Sequence, residues 1–299
     1  MKSVIIASAL LASAAARNHE NMGPLNPALG VHGFPDCVQP GPISSDVEEA
    51  QQSMVCSQQG SAAALKIACV GDSITAGAHA SNASMAYPQQ LQRMLDASQY
   101  AVTNLGECGS TMQKNADSPY WKRNSFTTLT KNTWDIVVIM LGTNDAKDHT
   151  DNGPSNWGCG VGSNVTVASC QFAQDYLSFI ALVKTLGPGG KSPVIFVMKP
   201  APLMSHGAIG ANQTVINSVF PSLIPMIATA AGLTTPVVDV FGGMGGVADW
   251  QTAFPPSCEK VSPWKPCAWF CDDQSCDQCH PNNNGYTHLA MTVKAGLGL

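Results

Sequence analysis

The sequence predicts an α/β fold, namely a three-layer α/β/α sandwich built on a mainly parallel sheet. Short apolar runs alternate along the chain with segments whose apolar residues fall at helical spacing. These runs are apolar almost throughout, which is typical of strands that are buried on both faces of a parallel sheet. The chain has 299 residues, 44% of them hydrophobic and 12% charged, which is sufficient for one substantial globular domain.

Five apolar runs predict the strands of this sheet. The first run, LKIACV, ends at Gly71, and the strongest, DIVVIML, occupies residues 135–141. Each is followed by small or polar residues, as expected where a strand leaves a sheet. In chain order, the predicted strands cover residues 65–70, 100–105, 135–141, 193–198 and 236–240.

Helical periodicity separates these runs. In the first such segment Pro88 suits the opening turn, and the apolar face is formed by Tyr87, Leu91, Met94 and Leu95. Further helices are predicted over residues 172–186 and 216–231, the second with a kink at Pro225. A C-terminal helix is predicted from an apolar face formed by Tyr286, Leu289, Ala290 and Val293.

The first residues have the features of a secretory signal peptide. Lys2 supplies a positive charge, residues 4–12 are mainly apolar, and small residues follow at positions 13–16. The run is too short to span a bilayer, so a cleaved signal at residues 1–16 is favoured over an anchor or an ordinary amphipathic N-terminus. Residues 17–63 are rich in Gly, Pro, Ser, Asn and Gln and predict an irregular lead-in. We expect a secreted or secretory-lumen protein with no stable membrane anchor.

Eleven cysteines agree with an oxidising compartment. Because the count is odd, at least one thiol is unpaired, and Cys69 inside the first strand is our candidate. Cys159 and Cys170 form a plausible local pair, and five more cysteines lie near the C-terminus. Glycosylation sequons, which such a compartment would allow to be modified, occur at Asn82, Asn164 and Asn212.

The charge of the chain excludes one class of partner. The formal net charge is -5, and no run of Lys or Arg is present. Nucleic-acid-binding proteins usually carry a basic patch that contacts phosphates. Nucleic acid is therefore set aside as a partner.

The first strand leads into Gly71-Asp72-Ser73-Ile74-Thr75. Binding sites of parallel sheets form at the carboxyl ends of the strands, so this loop is a candidate site. A serine placed after a buried strand and flanked by glycine is how α/β hydrolases expose a nucleophilic hydroxyl. The alternative is that Ser73 is an ordinary helix N-cap.

Two further strands end in unusual loops. NLGECGST occupies residues 104–111, and its glycines allow the backbone to approach a ligand closely. GTND occupies residues 142–145, where Asn144 can donate a hydrogen bond to an oxyanion and Asp145 can brace the loop. Plain turns are the alternative interpretation of both blocks.

Asp277 and His280 lie three residues apart before the last predicted helix. A serine hydroxyl becomes a good nucleophile when a neutral imidazole accepts its proton. That imidazole in turn needs an acceptor that fixes its tautomer and stabilises the imidazolium. One turn can supply both groups, although surface Asp/His pairs are also common.

Taken together, the four blocks resemble the characteristic motifs of the SGNH/GDSL hydrolases. The matching residues are GDSI with Ser73, NLGECGST with Gly109, GTND with Asn144, and DxxH with Asp277 and His280. The resemblance covers residues 64–299 and implies a flavodoxin-like sheet and a serine esterase that works through an acyl-enzyme.

The resemblance also implies a role for each residue. Ser73, Asp277 and His280 would be the catalytic nucleophile, the orienting acid and the general base. The oxyanion hole would consist of the backbone N–H groups of Ser73 and Gly109 and the side chain of Asn144, with Gly106 as the alternative to Gly109. The implied mechanism requires neither a metal ion nor an organic cofactor, and activity is expected to fall as His280 becomes protonated.

The substrate class rests on a narrower resemblance. ADSPYW at residues 116–121, followed by DIVVIMLGTNDAK, is similar to secreted carbohydrate esterases, including sialate O-acetylesterase-like proteins. This implies hydrolysis of a small ester, such as the acetyl ester of an O-acylated glycan. The alternatives are an esterase or lipase for short acyl chains on other alcohols, and a catalytically silent, disulfide-rich binding protein.

The cysteines around His280 depart from the usual motif. Cys276 and Cys279 bracket Asp277, and a disulfide there would make the turn rigid. In reduced form, these two with Cys267, Cys271 and His280 would have zinc-like spacing, which secretion disfavours.

Other residues are interpreted as structural. His79, shortly after the nucleophile loop, could face the pocket but is interpreted as a solvated loop histidine, and His288 is interpreted as part of a helix. His206 could line the acyl or leaving-group side of the site. Trp264 and Trp269 are expected to pack near the C-terminal disulfides rather than to form a platform for a sugar.

Overall fold

The sheet of the computed structural model has four strands, all parallel. The structure describes residues 63–148, 155–161, 164–259 and 264–299, so the predicted signal peptide and all but the last residue of the predicted lead-in lie outside the described residues. The strands are β1 (Leu65–Gly71), β2 (Tyr100–Gly106), β3 (Ile136–Met140) and β4 (Val194–Val197).

Eight α-helices connect and cover these strands within the described residues. They are α1 (Ser73–Ala76), α2 (Tyr87–Met94), α3 (Asn124–Lys131), α4 (Gln171–Val183), α5 (Phe220–Ala230), α6 (Val240–Gly243), α7 (Trp250–Ala253) and α8 (Asn283–Leu297). A π-helical turn, Val215–Val219, leads into α5. Short 3₁₀ turns occur at Ala83–Met85, Tyr120–Lys122, Pro188–Gly190, Ala208–Gly210 and Lys265–Trp269.

The strand order β2-β1-β3-β4 places β1 and β3 at the centre of the sheet. Gly71, at the end of β1, is in register with Gly106 of β2 and with Met140 of β3. Because the strands are parallel, the loops after β1, β2 and β3 leave the same edge of the sheet side by side. This edge carries three of the four blocks that the sequence singled out.

Two separate apolar cores confirm the predicted three-layer fold. Along β1, the side chains of Ala68 and Val70 join one core, whereas Ile67 and Cys69 join the other. This alternation is the ordinary consequence of a strand's two-residue period. The first core is completed by α3, α4 and α5, and the second by α2 and α8.

Helix α8 forms as its sequence predicts. Tyr286, Leu289, Ala290 and Val293 are all fully buried on one face of it. Asn282 caps its first turn by accepting a hydrogen bond from the Gly285 N–H, and Gly298 ends it in a left-handed conformation with φ of 71°. The helix begins two residues after Pro281, so it is attached directly to the segment that carries His280.

The fifth predicted strand, residues 236–240, is wrong. Only one parallel bridge forms there, between Met198 and Val238. The chain turns away at once because the Asp239 side chain accepts a hydrogen bond from Gly242 N–H and caps the short helix α6. The sequence interpretation also misses α3. The helix predicted over residues 216–231 forms as the π-helical turn followed by α5, which contains Pro225, and the kink at Pro225 stays a prediction.

The disulfides bear out part of the cysteine interpretation. Cys159 is bonded to Cys170 as predicted, and Cys69 is a free, buried thiol. The other pairs within the described residues are Cys258–Cys267 and Cys271–Cys276, and Cys108 is also disulfide-bonded. In the described part of the chain, no helix combines the length and apolar character needed to cross a membrane.

The close contact between α1 and β2 gives a test of this packing. A Cβ atom added to Gly106 would clash with the backbone of Thr75 and Ala76, which cannot move without displacing the start of α1. We expect Gly106→Ala to lower the free energy of unfolding by at least ~2 kcal/mol, measured by urea denaturation. Gly158→Ala is the matched control, since a Cβ there meets nothing within 4 Å. Equal stability of the two variants would contradict this packing.

Candidate active site

Ser73 is the first residue of α1, directly after β1. The preceding residue, Asp72, caps the helix because its carboxylate accepts a hydrogen bond of 3.0 Å from Ile74 N–H. Gly77 ends the helix after one turn in a left-handed conformation with φ of 96°, and a side chain there would clash with Ala86. The serine is held on a short, tightly bounded turn, and only 6% of its surface is exposed.

His280 contacts this serine although it lies 207 residues away. The distance from Ser73 Oγ to His280 Nε2 is 2.7 Å, which is a good hydrogen bond. His280 is itself only 5% exposed. The structure therefore brings the predicted nucleophile and the predicted base together with the geometry that proton transfer requires.

Asp277 holds the other side of the imidazole. Its Oδ2 is hydrogen-bonded to His280 Nδ1, while its Oδ1 accepts hydrogen bonds of 2.7 and 3.0 Å from the backbone N–H groups of His280 and Cys279. Burial alone would raise its pKa, but the hydrogen bonds and the charge of His280 outweigh burial and lower the pKa of Asp277 to about 2. The carboxylate is thus ionised wherever the imidazole can act as a base.

The turn that carries this pair is anchored at several points. Gln278 adopts a left-handed φ of 65°, which is uncommon for a residue with a side chain. Its side-chain oxygen accepts from Cys258 N–H at 2.9 Å, and its backbone oxygen accepts from Met204 N–H at 2.9 Å. The neighbouring Cys271–Cys276 disulfide closes the preceding loop. These contacts offset the cost of the strained backbone.

The cysteine-rich zinc site considered from the sequence does not form. Cys267, Cys271 and Cys276 are all in disulfides, which leaves Cys279 as a free, buried thiol. The bracketing pair Cys276 and Cys279 is not bonded to each other. Cys276 is bonded instead to Cys271, and Cys279 packs in the apolar core beneath the sheet edge.

Gly109 and Asn144 lie on loops that contact each other. Gly109 follows β2 in a left-handed conformation with φ of 74°, a geometry that glycine adopts without strain. The side-chain amide of Asn144, only 3% exposed, donates a hydrogen bond of 3.2 Å to the carbonyl oxygen of Ser110. The structure therefore joins the second and third sequence blocks, while the oxyanion roles of Ser73, Gly109 and Asn144 stay a prediction.

Asp145 fastens the third loop to the second. Its two carboxylate oxygens accept hydrogen bonds of 2.8 Å each from the backbone N–H groups of Met112 and Gln113. Burial raises the pKa of Asp145 to about 7, and those two hydrogen bonds oppose the rise without cancelling it. The residue is fully buried, so it braces the site from within rather than facing a ligand.

Asp72 is a second buried carboxyl group at this edge of the sheet. Burial raises its pKa to about 6, against the opposing effects of the Ile74 N–H hydrogen bond and the neighbouring His280. Asp72, and not Ser73, is the N-cap of α1, and aspartate is a residue that this position favours. Its closeness to His280 had no sequence signal.

His79 faces the site, so its interpretation as a solvated loop histidine is wrong. Its ring lies parallel to that of His280, with centroids 4.9 Å apart, and its Nε2 is 3.4 Å from Asp277 Oδ2. Its Nδ1 shares a hydrogen bond of 2.6 Å with Ser275 Oγ. A histidine six residues after the nucleophile is not a signal by itself, because only the packing of α8 brings it to Asp277.

Of the remaining candidates, His288 and Trp264 make structural contacts, and His206 does not contact the site. The imidazole of His288 is hydrogen-bonded to the Gly243 carbonyl at 2.8 Å and stacks on Trp269 at 4.0 Å between ring centroids. Trp264 packs on Phe254 at 4.6 Å between centroids, as the packing interpretation predicts. His206 is exposed on its loop, and no contact links it to the Ser73–His280 pair.

Comparison with protein families identifies a large part of the chain. Residues 69–288 match the GDSL-like Lipase/Acylhydrolase family. The match begins within β1 and ends within α8, so it includes all four blocks of the site. It confirms the family resemblance that the motifs predicted.

Individual relatives agree with this assignment. An acetylxylan esterase of Xylanibacter ruminicola is 39% identical over 95 residues, which are 31% of this chain and 18% of the relative. The chain thus spans about a fifth of the length of that curated relative. Among solved structures, an aryl esterase of M. smegmatis has a TM-score of 0.51 at 19% identity, over 79% of this chain and 99% of that chain.

A catalytic mutant of an acetylxylan esterase from Geobacillus stearothermophilus has the same fold. It has a TM-score of 0.50 at 18% identity and covers 80% of this chain and 97% of its own. At this level of identity the two solved structures establish the fold and not the chemistry. The parallel sheet with helices on both faces is confirmed by them.

The buried carboxyl group of Asp145 gives a testable pH dependence. In the unfolded chain an aspartate titrates near ~3.9, so between that pH and about 7 only the native protein retains the Asp145 proton. The contribution of Asp145 to the free energy of unfolding therefore falls as pH rises through this window. In Asp145→Asn, which has no proton to lose, stability relative to wild type should rise between about pH 4.5 and 7.5.

Urea unfolding at several pH values measures this difference. Asp249→Asn provides a matched control for the change of Asp to Asn, because the Asp249 side chain is exposed, whereas that of Asp145 is fully buried. A difference between Asp145→Asn and wild type that did not change with pH would contradict the assignment.

Proposed function

Because this chain belongs to the GDSL-like lipase/acylhydrolase family, we propose that it is a serine esterase that removes acetyl groups from an O-acetylated carbohydrate. Its class as a carboxylic ester hydrolase follows from the family. The proposal goes further than the family: it names the nucleophile, the roles of the other site residues and a carbohydrate substrate. The observation that carries it is the 2.7 Å contact between Ser73 Oγ and His280 Nε2, with Asp277 on the far side of the imidazole.

The proposed reaction has two halves. Ser73 Oγ attacks the ester carbonyl carbon while its proton moves to His280 Nε2, and the tetrahedral intermediate collapses when His280 returns that proton to the leaving alcohol. Water then repeats the sequence on the acyl-enzyme, releases acetate and restores Ser73. Asp277 stays ionised throughout and stabilises the imidazolium that forms in each half.

The negative charge that develops on the carbonyl oxygen of the ester needs hydrogen-bond donors to stabilise it. We assign this role to the backbone N–H groups of Ser73 and Gly109 and to the Asn144 side chain, as the family motifs imply. Each such donor can be worth ~3 kcal/mol of transition-state stabilisation. Asp145 fastens the loop of Asn144 to the segment that follows Gly109, which supports this assignment, because a preorganised donor must not move during the reaction.

The assignment of a carbohydrate substrate rests on similarity to carbohydrate esterases. The curated relative that matches over 95 residues is an acetylxylan esterase, and the block at residues 116–121 is similar to carbohydrate esterases. A short-chain esterase for other alcohols would share the same site and is an outcome that the substrate test must separate. A catalytically silent binding protein is disfavoured, since it has no need of a buried Ser73–His280 hydrogen bond.

We also propose that the protein is secreted. The disulfides Cys159–Cys170, Cys258–Cys267 and Cys271–Cys276 support an oxidising compartment. The sequons at Asn82 and Asn164 have exposed asparagines, as a glycan requires, whereas Asn212 is half-buried. Glycosylation in that compartment stays a prediction.

Loss of the nucleophile tests the mechanism. We expect Ser73→Ala to lower kcat for p-nitrophenyl acetate by at least ~10³-fold, because no other group can form the acyl-enzyme. Ser178→Ala removes a hydroxyl that only bonds to the Gln174 carbonyl within α4, and it should retain wild-type turnover. Comparable activity of Ser73→Ala and wild type would contradict the assignment of the nucleophile.

The substrate is tested with the same purified protein. Acetate release is measured from acetylated xylan, acetylated mannan and an O-acetylated sialic acid, beside p-nitrophenyl esters of increasing chain length. We expect a higher kcat/KM for at least one acetylated glycan than for p-nitrophenyl butyrate. If kcat/KM for p-nitrophenyl butyrate exceeded that for every acetylated glycan, the substrate would be a short-chain ester and not a carbohydrate.

A further inference from the structure

We propose that His79, Asp277 and His280 form a binding site for a divalent transition-metal ion such as Zn²⁺, and that binding of this ion inhibits the esterase. This site shares His280 with the cysteine cluster discussed above but uses no thiol. The regulatory half of the proposal rests on the proposed function, whereas the binding half does not.

The three side chains converge on one point. One donor atom from each lies within 4.8 Å of the others. His79 Nε2 and Asp277 Oδ2 are 3.4 Å apart, which is roughly the edge of a tetrahedron with metal–ligand bonds of ~2.1 Å. Two imidazoles and one carboxylate form a ligand set that zinc commonly takes, with a fourth position left for water.

The groups behind the donors are those of a metal site. Ser275 Oγ lies 2.6 Å from His79 Nδ1, so it can accept the Nδ1 proton and leave the Nε2 lone pair directed at Asp277. The other oxygen of Asp277 is held by the backbone N–H groups of Cys279 and His280. Both histidine and carboxylate are thereby oriented before an ion arrives.

The loop that presents His79 is fixed in place. Its backbone has a left-handed φ of 65°, and the loop is tied to α8 on both sides. Tyr286 Oη donates to the Ala78 carbonyl at 2.6 Å, and Ser81 N–H donates to Asn283 Oδ1 at 2.9 Å. A strained histidine held rigidly beside a carboxylate has no role in packing the core, which points to a ligand.

An ion can reach the site from solvent. The side chains of His79 and Asp277 are 22% and 23% exposed, whereas that of His280 is almost buried. The ion would therefore meet His79 and Asp277 first and then replace the Asp277–His280 hydrogen bond. That bond would open, because two hydrogen-bonded atoms lie closer together than two ligands of one metal ion do.

Inhibition follows from the tautomer of His280. In the active state its ring proton is on Nδ1, facing Asp277, and the Nε2 lone pair accepts the proton of Ser73. When a cation takes the Nδ1 lone pair, the one ring proton moves through solvent to Nε2, with no net loss of a proton. The Nε2–H then donates to Ser73 Oγ, and the base is no longer available.

Calorimetry on the Ser73→Ala protein tests binding without turnover. We expect one Zn²⁺ per chain in metal-free buffer, and at least a tenfold weaker affinity when His79→Asn is added, since asparagine tolerates the left-handed backbone but removes the imidazole. The matched control is His206→Asn, because His206 is an exposed histidine outside the cluster. Unchanged affinity in the His79 variant would overturn the site.

Inhibition is measured on the active protein with p-nitrophenyl acetate. Each rate is compared with the metal-free rate of the same variant, so any effect of His79→Asn on turnover cancels. We expect Zn²⁺ to inhibit wild type and His206→Asn alike, EDTA to restore both, and half-inhibition of His79→Asn to require at least tenfold more Zn²⁺. Full activity of wild type with the calorimetric site saturated would overturn the inhibition. If the metal-free protein hydrolyses no ester, the proposed function fails and the calorimetry still decides the site.

Discussion

The hydrogen bond between Ser73 and His280 joins parts of the chain that are 207 residues apart, so the site exists only if both ends of the fold are in place. One end is β1, a central strand between β2 and β3, which fixes Ser73 through the short helix α1. The other end is α8, whose buried face shares a core with Ile67 and Cys69 of β1. The core that stabilises the sheet thereby also sets the distance between nucleophile and base.

The site is built from groups that a stable core would exclude. Asp72 and Asp145 are fully buried carboxyl groups whose pKa values are raised to about 6 and about 7, and each is kept by the backbone N–H groups it accepts from. His79 and Gln278 adopt left-handed backbone conformations beside Asp277. Costs of this kind persist in proteins where they position a functional group, and here all four residues surround or brace the same pair, Ser73 and His280.

The sequence predicts the strands well because burial on both faces of a parallel sheet leaves a continuous apolar run, as in DIVVIML. It misses α3, since NSFTTLTK has only two strongly apolar residues and is rich in β-branched threonine, and this helix forms because Leu129 is buried against the sheet. The four sequence blocks predict which residues meet at the site, because they match the motifs of a family whose members share this fold. The position of His79 depends on how α8 packs against a distant loop, and no local pattern carries that information.

Covalent labelling with a fluorophosphonate tests the central claim most directly, because the reagent reports an activated serine whatever the natural ester is. Intact mass followed by peptide mapping should show one adduct, on Ser73, and His280→Ala should slow its formation by at least ~10²-fold. Asp249→Asn, which changes an exposed residue, should label like wild type. An adduct on another residue, or labelling of Ser73 that does not depend on His280, would contradict the account of a serine activated across the fold by the C-terminal turn.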